Sequence, residues 1–213
     1  EVDVFLKGLD LLFDLAPNFP HLEAIDLGGG FKVPYKEGET GTDIQALASA
    51  VQEHFYAFEN RTGIDLEFWF EPGKYLVAES GYLLTAVNVL KRSGNIEFAG
   101  VDSGLNQLIR PMFYNAYHSI ENLSHPNGAV QTYTVVGNVC ETDTFAEDRP
   151  LNQVREGDLL CIRNAGAYGF EMASSYNARF RPAEVLFRAG EMHLIRRRET
   201  LDDLLHLQIP LGD

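Results

Sequence analysis

The sequence predicts two kinds of architecture in one chain, an α/β segment over residues 1–80 and an all-β segment over residues 81–213. Three observations lead there. Apolar residues recur at helical spacing twice before residue 63, and each run is followed by a short apolar strand that ends in glycine or polar residues. Beyond Gly81 the helical period gives way to short apolar runs separated by Gly, Asn, Asp and Pro. With 213 residues and ordinary apolar content, the chain is long enough to build a core in each part.

The elements follow in order. Val2, Phe5, Leu6, Leu9, Leu12, Phe13 and Ala16 mark one face of a helix that Pro17 stops. Ala24-Ile25-Asp26-Leu27 then reads as a buried strand emptying into Gly28, Gly29 and Gly30. Thr42 with Gln45 three residues on has the form of a capping box for a second helix that ends near Gly63. Leu66-Glu67-Phe68-Trp69-Phe70 is the next strand and delivers Glu71-Pro72-Gly73-Lys74 as a turn. This alternation is the grammar of a (β/α)8 barrel, in which functional groups gather where parallel strands finish. Two such units cannot close an eight-unit barrel, so the others are expected upstream of Glu1 or on another chain. In the second part, strands are expected at 82–90, 96–101, 130–139, 159–162, 183–187 and 192–195, with a short helix at 201–207 after Thr200. Antiparallel pairing, as a β-barrel or sandwich, is the expectation for all of 81–213.

The formal charge of −14 argues against sequence-independent nucleic-acid binding, which needs a basic surface. Cys140 and Cys161 make neither a disulfide framework nor a zinc-ligand spacing, so no metal is expected. Neither a signal peptide nor a membrane-spanning apolar run is present, and a cytoplasmic location is expected. The chain opens at Glu1 in the middle of an amphipathic pattern, which reads as the start of a fragment.

Five stretches carry potential chemistry, each beside a plainer reading. Gly28-Gly29-Gly30 suits a backbone nest for a phosphate, or a tight turn at a strand end. Glu71, held by Pro72 and followed by Gly73 and Lys74, suits a carboxylate facing a protonated ring nitrogen, or a turn with a solvated glutamate. Arg110-Pro111-Met112-Phe113-Tyr114 suits bidentate capture of a carboxylate, or a surface arginine. Cys140-Glu141-Thr142-Asp143 places a thiol and two carboxylates together, as in a pocket or a solvated loop. Gly166-Ala167-Tyr168 suits a backbone approaching an anion, or a hairpin turn with a packed tyrosine.

In their order and spacing these stretches, with Arg181-Pro182-Ala183-Glu184, resemble the C-terminal half of the pyridoxal-phosphate decarboxylases of the alanine-racemase-like fold, and within that group the diaminopimelate decarboxylases. The resemblance implies a carboxy-lyase that converts meso-2,6-diaminopimelate to L-lysine in lysine biosynthesis, with pyridoxal 5′-phosphate as cofactor. It implies a homodimer with active sites at the subunit interface. Cofactor contacts fall on Gly28, Gly29, Gly30, Glu71, Pro72, Gly73, Lys74 and Tyr168; substrate contacts on Lys74, Arg110, Tyr114, Glu141 and Tyr168; and the proton donor is Cys140. Lys74 stands where the family commonly has arginine, and Asp143 is one position earlier than the family's acid. The lysine that anchors the cofactor and the histidine that stacks on it belong to the barrel half upstream, so this chain is expected to be inactive alone. The alternatives are an ornithine- or arginine-type decarboxylase on the same scaffold, and a non-catalytic homologue that acts as a binding partner. Arg110 favours the diaminopimelate reading, because a distal carboxylate attracts it and a distal amine alone repels it.

Overall fold

Residues 2–211 are described by the computed structural model, which divides into a first unit ending at Val77 and a second beginning at Ala78. In the first unit, helix α1 (Val2–Leu15) turns its apolar face inward through Leu9 and Phe13. Strand β1 (Ala24–Asp26), helix α2 (Ile44–Thr62) and strand β2 (Glu67–Trp69) follow, and a five-residue helix α3 (Gly73–Val77) closes the unit. β1 and β2 pair in parallel, Ile25 beside Phe68, as the β/α alternation requires. The core is aromatic. Phe13 stacks on Phe58 with centroids 4.3 Å apart, and Phe68 meets Phe55 edge-on at 4.8 Å, arrangements that follow the ring quadrupoles.

The capping of α2 differs from the expected box. Asp43 is the N-cap and accepts from the Ala46 amide at 2.9 Å, whereas Thr42 is buried and its hydroxyl accepts from the Lys32 amide at 2.7 Å. Both residue types suit a cap, and the tertiary bond to Lys32 decides between them. Gly63 ends the helix in the left-handed region, φ 71°, where a Cβ is disfavoured.

The second unit is built on one six-stranded sheet. Its strands are β3 (Leu83–Ser93), β4 (Ile96–Val101), β5 (Ile120–Asn122), β6 (Val130–Val136), β7 (Thr144–Asn152) and β8 (Leu159–Ile162), in the order β5-β8-β3-β4-β6-β7. The all-antiparallel expectation is corrected at one seam: β4 and β6 run parallel, Ala99 beside Val135. Helix α4 (Arg110–Tyr114) and β5 lie between them in sequence, and this long crossover lets β6 return in the same direction as β4. Arg110 to Tyr114 is helical and interrupts the β structure in addition to the C-terminal helix.

The sheet curls until it is nearly closed, and side chains bridge its ends. Asn122 on β5 donates to the Gln153 carbonyl at 2.9 Å just past β7, and Arg149 on β7 donates to the His118 carbonyl at 2.6 Å. Val87, Val101, Val135, Leu160 and Ile162 fill the interior. Strands β9 (Glu184–Arg188) and β10 (Glu191–Arg196) form a separate antiparallel hairpin, followed by α5 (Leu201–Leu205), which has the Thr200–Asp203 capping box. No helix among the described residues is long and apolar enough to cross a membrane.

Candidate active site

The glycine run owes its conformation to the strand pair beside it. Past the two strands the ladder continues, with Leu27 donating to the Trp69 carbonyl at 3.0 Å and Glu71 donating to the Gly28 carbonyl at 2.9 Å. A Cβ on Gly29 would lie 2.8 Å from the Glu71 carbonyl oxygen, and Gly28 and Gly30 hold φ of 67° and 88°. All three positions therefore exclude a side chain, one by contact and two by backbone conformation. The Gly28 amide is committed to the Asp26 carboxylate at 2.8 Å. Among the described residues no acceptor takes the amides of Gly29 and Gly30, so two amides of the glycine run are open.

Glu71 stands at the rim of the same backbone. Its side chain is exposed and makes no ion pair or hydrogen bond among the described residues. Pro72 precedes the first residue of α3, so the expected turn is the entry to a helix. Gly73 donates to the Glu71 carbonyl at 2.8 Å, and the ammonium of Lys74 lies 5.9 Å from the centre of the Tyr35 ring.

In the second unit, Arg110 is the first residue of α4, with Pro111 buried behind it. Tyr114, one turn on, and Tyr168 flank its guanidinium, with ring centres 5.5 and 5.8 Å from Cζ. The Arg110 Nε is buried without an acceptor among the described residues. Arg110 is half-buried, and its Nε is a donor left without a partner between two phenols, which calls for an explanation such as a ligand. Sequence reasoning placed these three residues in one site, and the structure brings them together. Gly166, however, donates its amide to the Ala78 carbonyl at 3.1 Å, and its backbone packs against Gly81 too closely to admit a Cβ there. Tyr168 is the residue of that loop whose ring stands beside Arg110.

Cys140 and Glu141 lie on the loop after β6 in a separate cluster. Cys140 Sγ donates to Glu141 Oε2 at 3.4 Å. The Tyr176 hydroxyl also donates to Glu141 and, together with the Cys140 thiol, holds its carboxyl below the usual carboxylate range. Asp143 is buried beneath the loop, its oxygens accepting from Leu105 at 2.7 Å and Val139 at 3.0 Å. Its burial pushes the carboxyl up in spite of those bonds. The displaced acid therefore ties down the base of the loop. Tyr176 and Asn177 were not anticipated from the sequence, which carries no signal for them beyond two polar residues in a turn-rich stretch.

A protein-family model described as "Pyridoxal-dependent decarboxylase, C-terminal sheet domain" matches residues 23–166. The chain belongs to this decarboxylase family. The diaminopimelate decarboxylase of Methanothermobacter thermautotrophicus is 43% identical over 212 residues, a match covering 96% of this chain and 49% of that protein. Among solved structures, the diaminopimelate decarboxylase of M. jannaschii in co-complex with L-lysine superposes with a TM-score of 0.87 at 34% identity, over 99% of this chain and 48% of that one. The Helicobacter pylori decarboxylase complexed with L-lysine gives a TM-score of 0.79 at 36% identity, over 97% and 50%. The chain spans about half the length of the curated relatives it matches.

Proposed function

We propose that the protein is a pyridoxal 5′-phosphate-dependent decarboxylase that converts meso-2,6-diaminopimelate to L-lysine, with this chain supplying the C-terminal part. The observation that carries the reading is Arg110, set between Tyr114 and Tyr168 with an unanswered Nε. That group answers a carboxylate at the unreacted end of the substrate, which diaminopimelate has and ornithine lacks. The M. jannaschii and H. pylori relatives were solved with L-lysine. Lysine retains the carboxylate and amine of the end that does not react.

The residues present fit the cofactor. The Gly29 and Gly30 amides suit phosphate oxygens, in a nest that a Cβ at Gly29 would obstruct. Pro72 and Gly73 hold Glu71 at the nest's rim, where its uncommitted carboxylate would keep a pyridine nitrogen protonated, and Lys74 adds positive charge nearby. When bound, pyridoxal phosphate would supply the electron sink for the pair left as the carbon–carbon bond breaks and carbon dioxide departs. Arg110 and Tyr114 grip the distal carboxylate, Glu141 the distal amine, and Cys140 Sγ gives its proton to the carbon that has lost the carboxyl group. Tyr168 contributes its hydroxyl to both phosphate and substrate.

The same reading assigns residues 1–80 to the last part of a (β/α)8 barrel and residues 81–213 to the β domain. In the first unit, the apolar groove lined by Phe55, Phe68, Phe70 and Leu76 offers a seat for further barrel elements. A cytoplasmic homodimer completes the proposal. Exposed Phe187, Met192, Leu194 and Ile195 on the β9–β10 hairpin supply apolar surface for a second copy.

The test is turnover by the full-length protein loaded with pyridoxal phosphate, following lysine and carbon dioxide. Diaminopimelate should be consumed with a kcat/KM at least a hundredfold above that for ornithine, the scale set by leaving a buried charge unpaired. Equal or faster use of ornithine would overturn the substrate assignment, and no turnover of either would favour a non-catalytic partner.

A further inference from the structure

Glu141 is an unusual exposed carboxylate, because three donors from its own chain converge on it. The Tyr176 hydroxyl, Asn177 Nδ2 at 3.4 Å and Cys140 Sγ at 3.4 Å all reach it, and no cation pairs with it among the described residues. A carboxylate offers about four acceptor positions; the thiol and the amide both reach Oε2, and capacity for a further donor is left.

The segment that provides two of these donors is held for the purpose. Asn177 and Ala178 both lie in the left-handed region, φ 54° and 55°, and alanine there is disfavoured by roughly 1–2 kcal/mol. Ser174 donates its amide to the Asn106 carbonyl at 2.8 Å ahead of this bend, and Arg179 donates to the Asn138 carbonyl at 3.0 Å behind it. The bend is thus pinned on both sides, one pin being the loop that carries Glu141. Backbone conformations of this kind persist only where the surroundings enforce them.

We infer that Tyr176 and Asn177 are positioning residues that orient the Glu141 carboxylate as a receptor for an ammonium group, and so select substrates with an amine at the unreacted end. The inference rests on the reading above. It adds a second selection to that of Arg110, one for the distal amine rather than the distal carboxylate. The lowered Glu141 carboxyl accords with it, since the receptor then stays anionic into mildly acidic solution.

The experiment uses the full-length, cofactor-loaded protein and its Tyr176→Phe and Asn177→Gly variants. Calorimetry compares L-lysine with 6-aminohexanoate, which has an amine to react and a distal carboxylate but no distal amine. Tyr176→Phe should weaken lysine about tenfold, the effect of losing one hydrogen bond to a charged group, and leave 6-aminohexanoate unchanged. In turnover, KM for diaminopimelate should rise with kcat nearly constant, and the acid limb of kcat/KM should move to higher pH. Asn177→Gly leaves the left-handed backbone accessible and removes one donor from Glu141 without adding charge. It carries the same comparison if the phenylalanine variant fails to fold. Unchanged lysine affinity in both variants, or equal weakening of both ligands, would overturn the inference. The binding arm does not depend on turnover: a wild-type protein that binds lysine selectively through Tyr176 yet decarboxylates nothing would sink the earlier reading and leave the clamp standing.

Discussion

The two units carry their proposed sites in opposite ways. The first presents backbone: Gly28, Gly29 and Gly30 leave two amides open beside the carboxylate of Glu71, and the site depends on side chains being absent. The second presents side chains on loops and a short helix, each supported by its neighbours: Arg110 by two rings, Glu141 by three donors, and the Cys140 loop by buried Asp143. A backbone nest recognises any phosphate and fixes a position. Side-chain clusters discriminate, because their charges and donors must each be answered. Division of this kind suits an enzyme whose cofactor is constant and whose substrate must be selected.

The sharpest way to separate the two halves of that comparison is Arg110→Ala. In the full-length enzyme it should lower kcat/KM for diaminopimelate about a thousandfold, the scale of a lost charge-assisted pair, without changing cofactor affinity. Loss of cofactor binding instead would show that the arginine serves the nest.

Gly29→Ala addresses the other half. Its Cβ meets the Glu71 carbonyl at 2.8 Å, and backbone displacement of this kind costs about 1–3 kcal/mol. Cofactor affinity, measured by titration of the apo-enzyme, should fall roughly ten- to a hundredfold on that scale, while the ratio of kcat/KM values for diaminopimelate and ornithine is kept. A changed ratio would break the division between holding and selecting.

The smallest effect is expected from Asp143→Asn, which removes one acceptor from the pair serving Leu105 and Val139. A buried donor left unsatisfied costs about 1–3 kcal/mol. Amide exchange at Leu105 or Val139, whichever loses its acceptor, should therefore accelerate measurably in the variant. The sign of its pH dependence follows from burial, which raises the Asp143 carboxyl above its ordinary 3.8. A raised carboxyl contributes stability that is fully present below the unfolded value and is lost as pH rises through the folded one. The penalty of the substitution should accordingly be larger in acid than at neutral pH.

Much of this was legible in the sequence where a local rule is also a tertiary one. The parallel β1–β2 pair, the side-chain-free run at Gly28–Gly30 and the Gly63 stop each follow from periodicity or from the lack of a Cβ. What was not legible depends on partners distant in the chain. β7 carries Glu147, Asp148, Arg149 and Pro150, a composition that reads as loop. It is a strand because β6 pairs with it across an irregularity near Asp148, φ 46°, and because Arg149 finds the His118 carbonyl. The parallel β4–β6 seam is likewise invisible in either strand alone. Gly166, open in the sequence to an anion-facing or a turn reading, donates its amide to the Ala78 carbonyl and packs against Gly81. Tyr176 and Asn177 gain significance only once their bend meets Glu141.

The central claim is that the first unit holds a phosphate by backbone while the second grips the unreacted end of an amino acid. It is tested most directly by a crystal structure of the full-length protein with pyridoxal phosphate and L-lysine. The account predicts phosphate oxygens on the Gly29 and Gly30 amides, the lysine carboxylate on Arg110 and its α-amine on Glu141. A phosphate seated away from those amides, or a lysine carboxylate that does not meet Arg110, would contradict it.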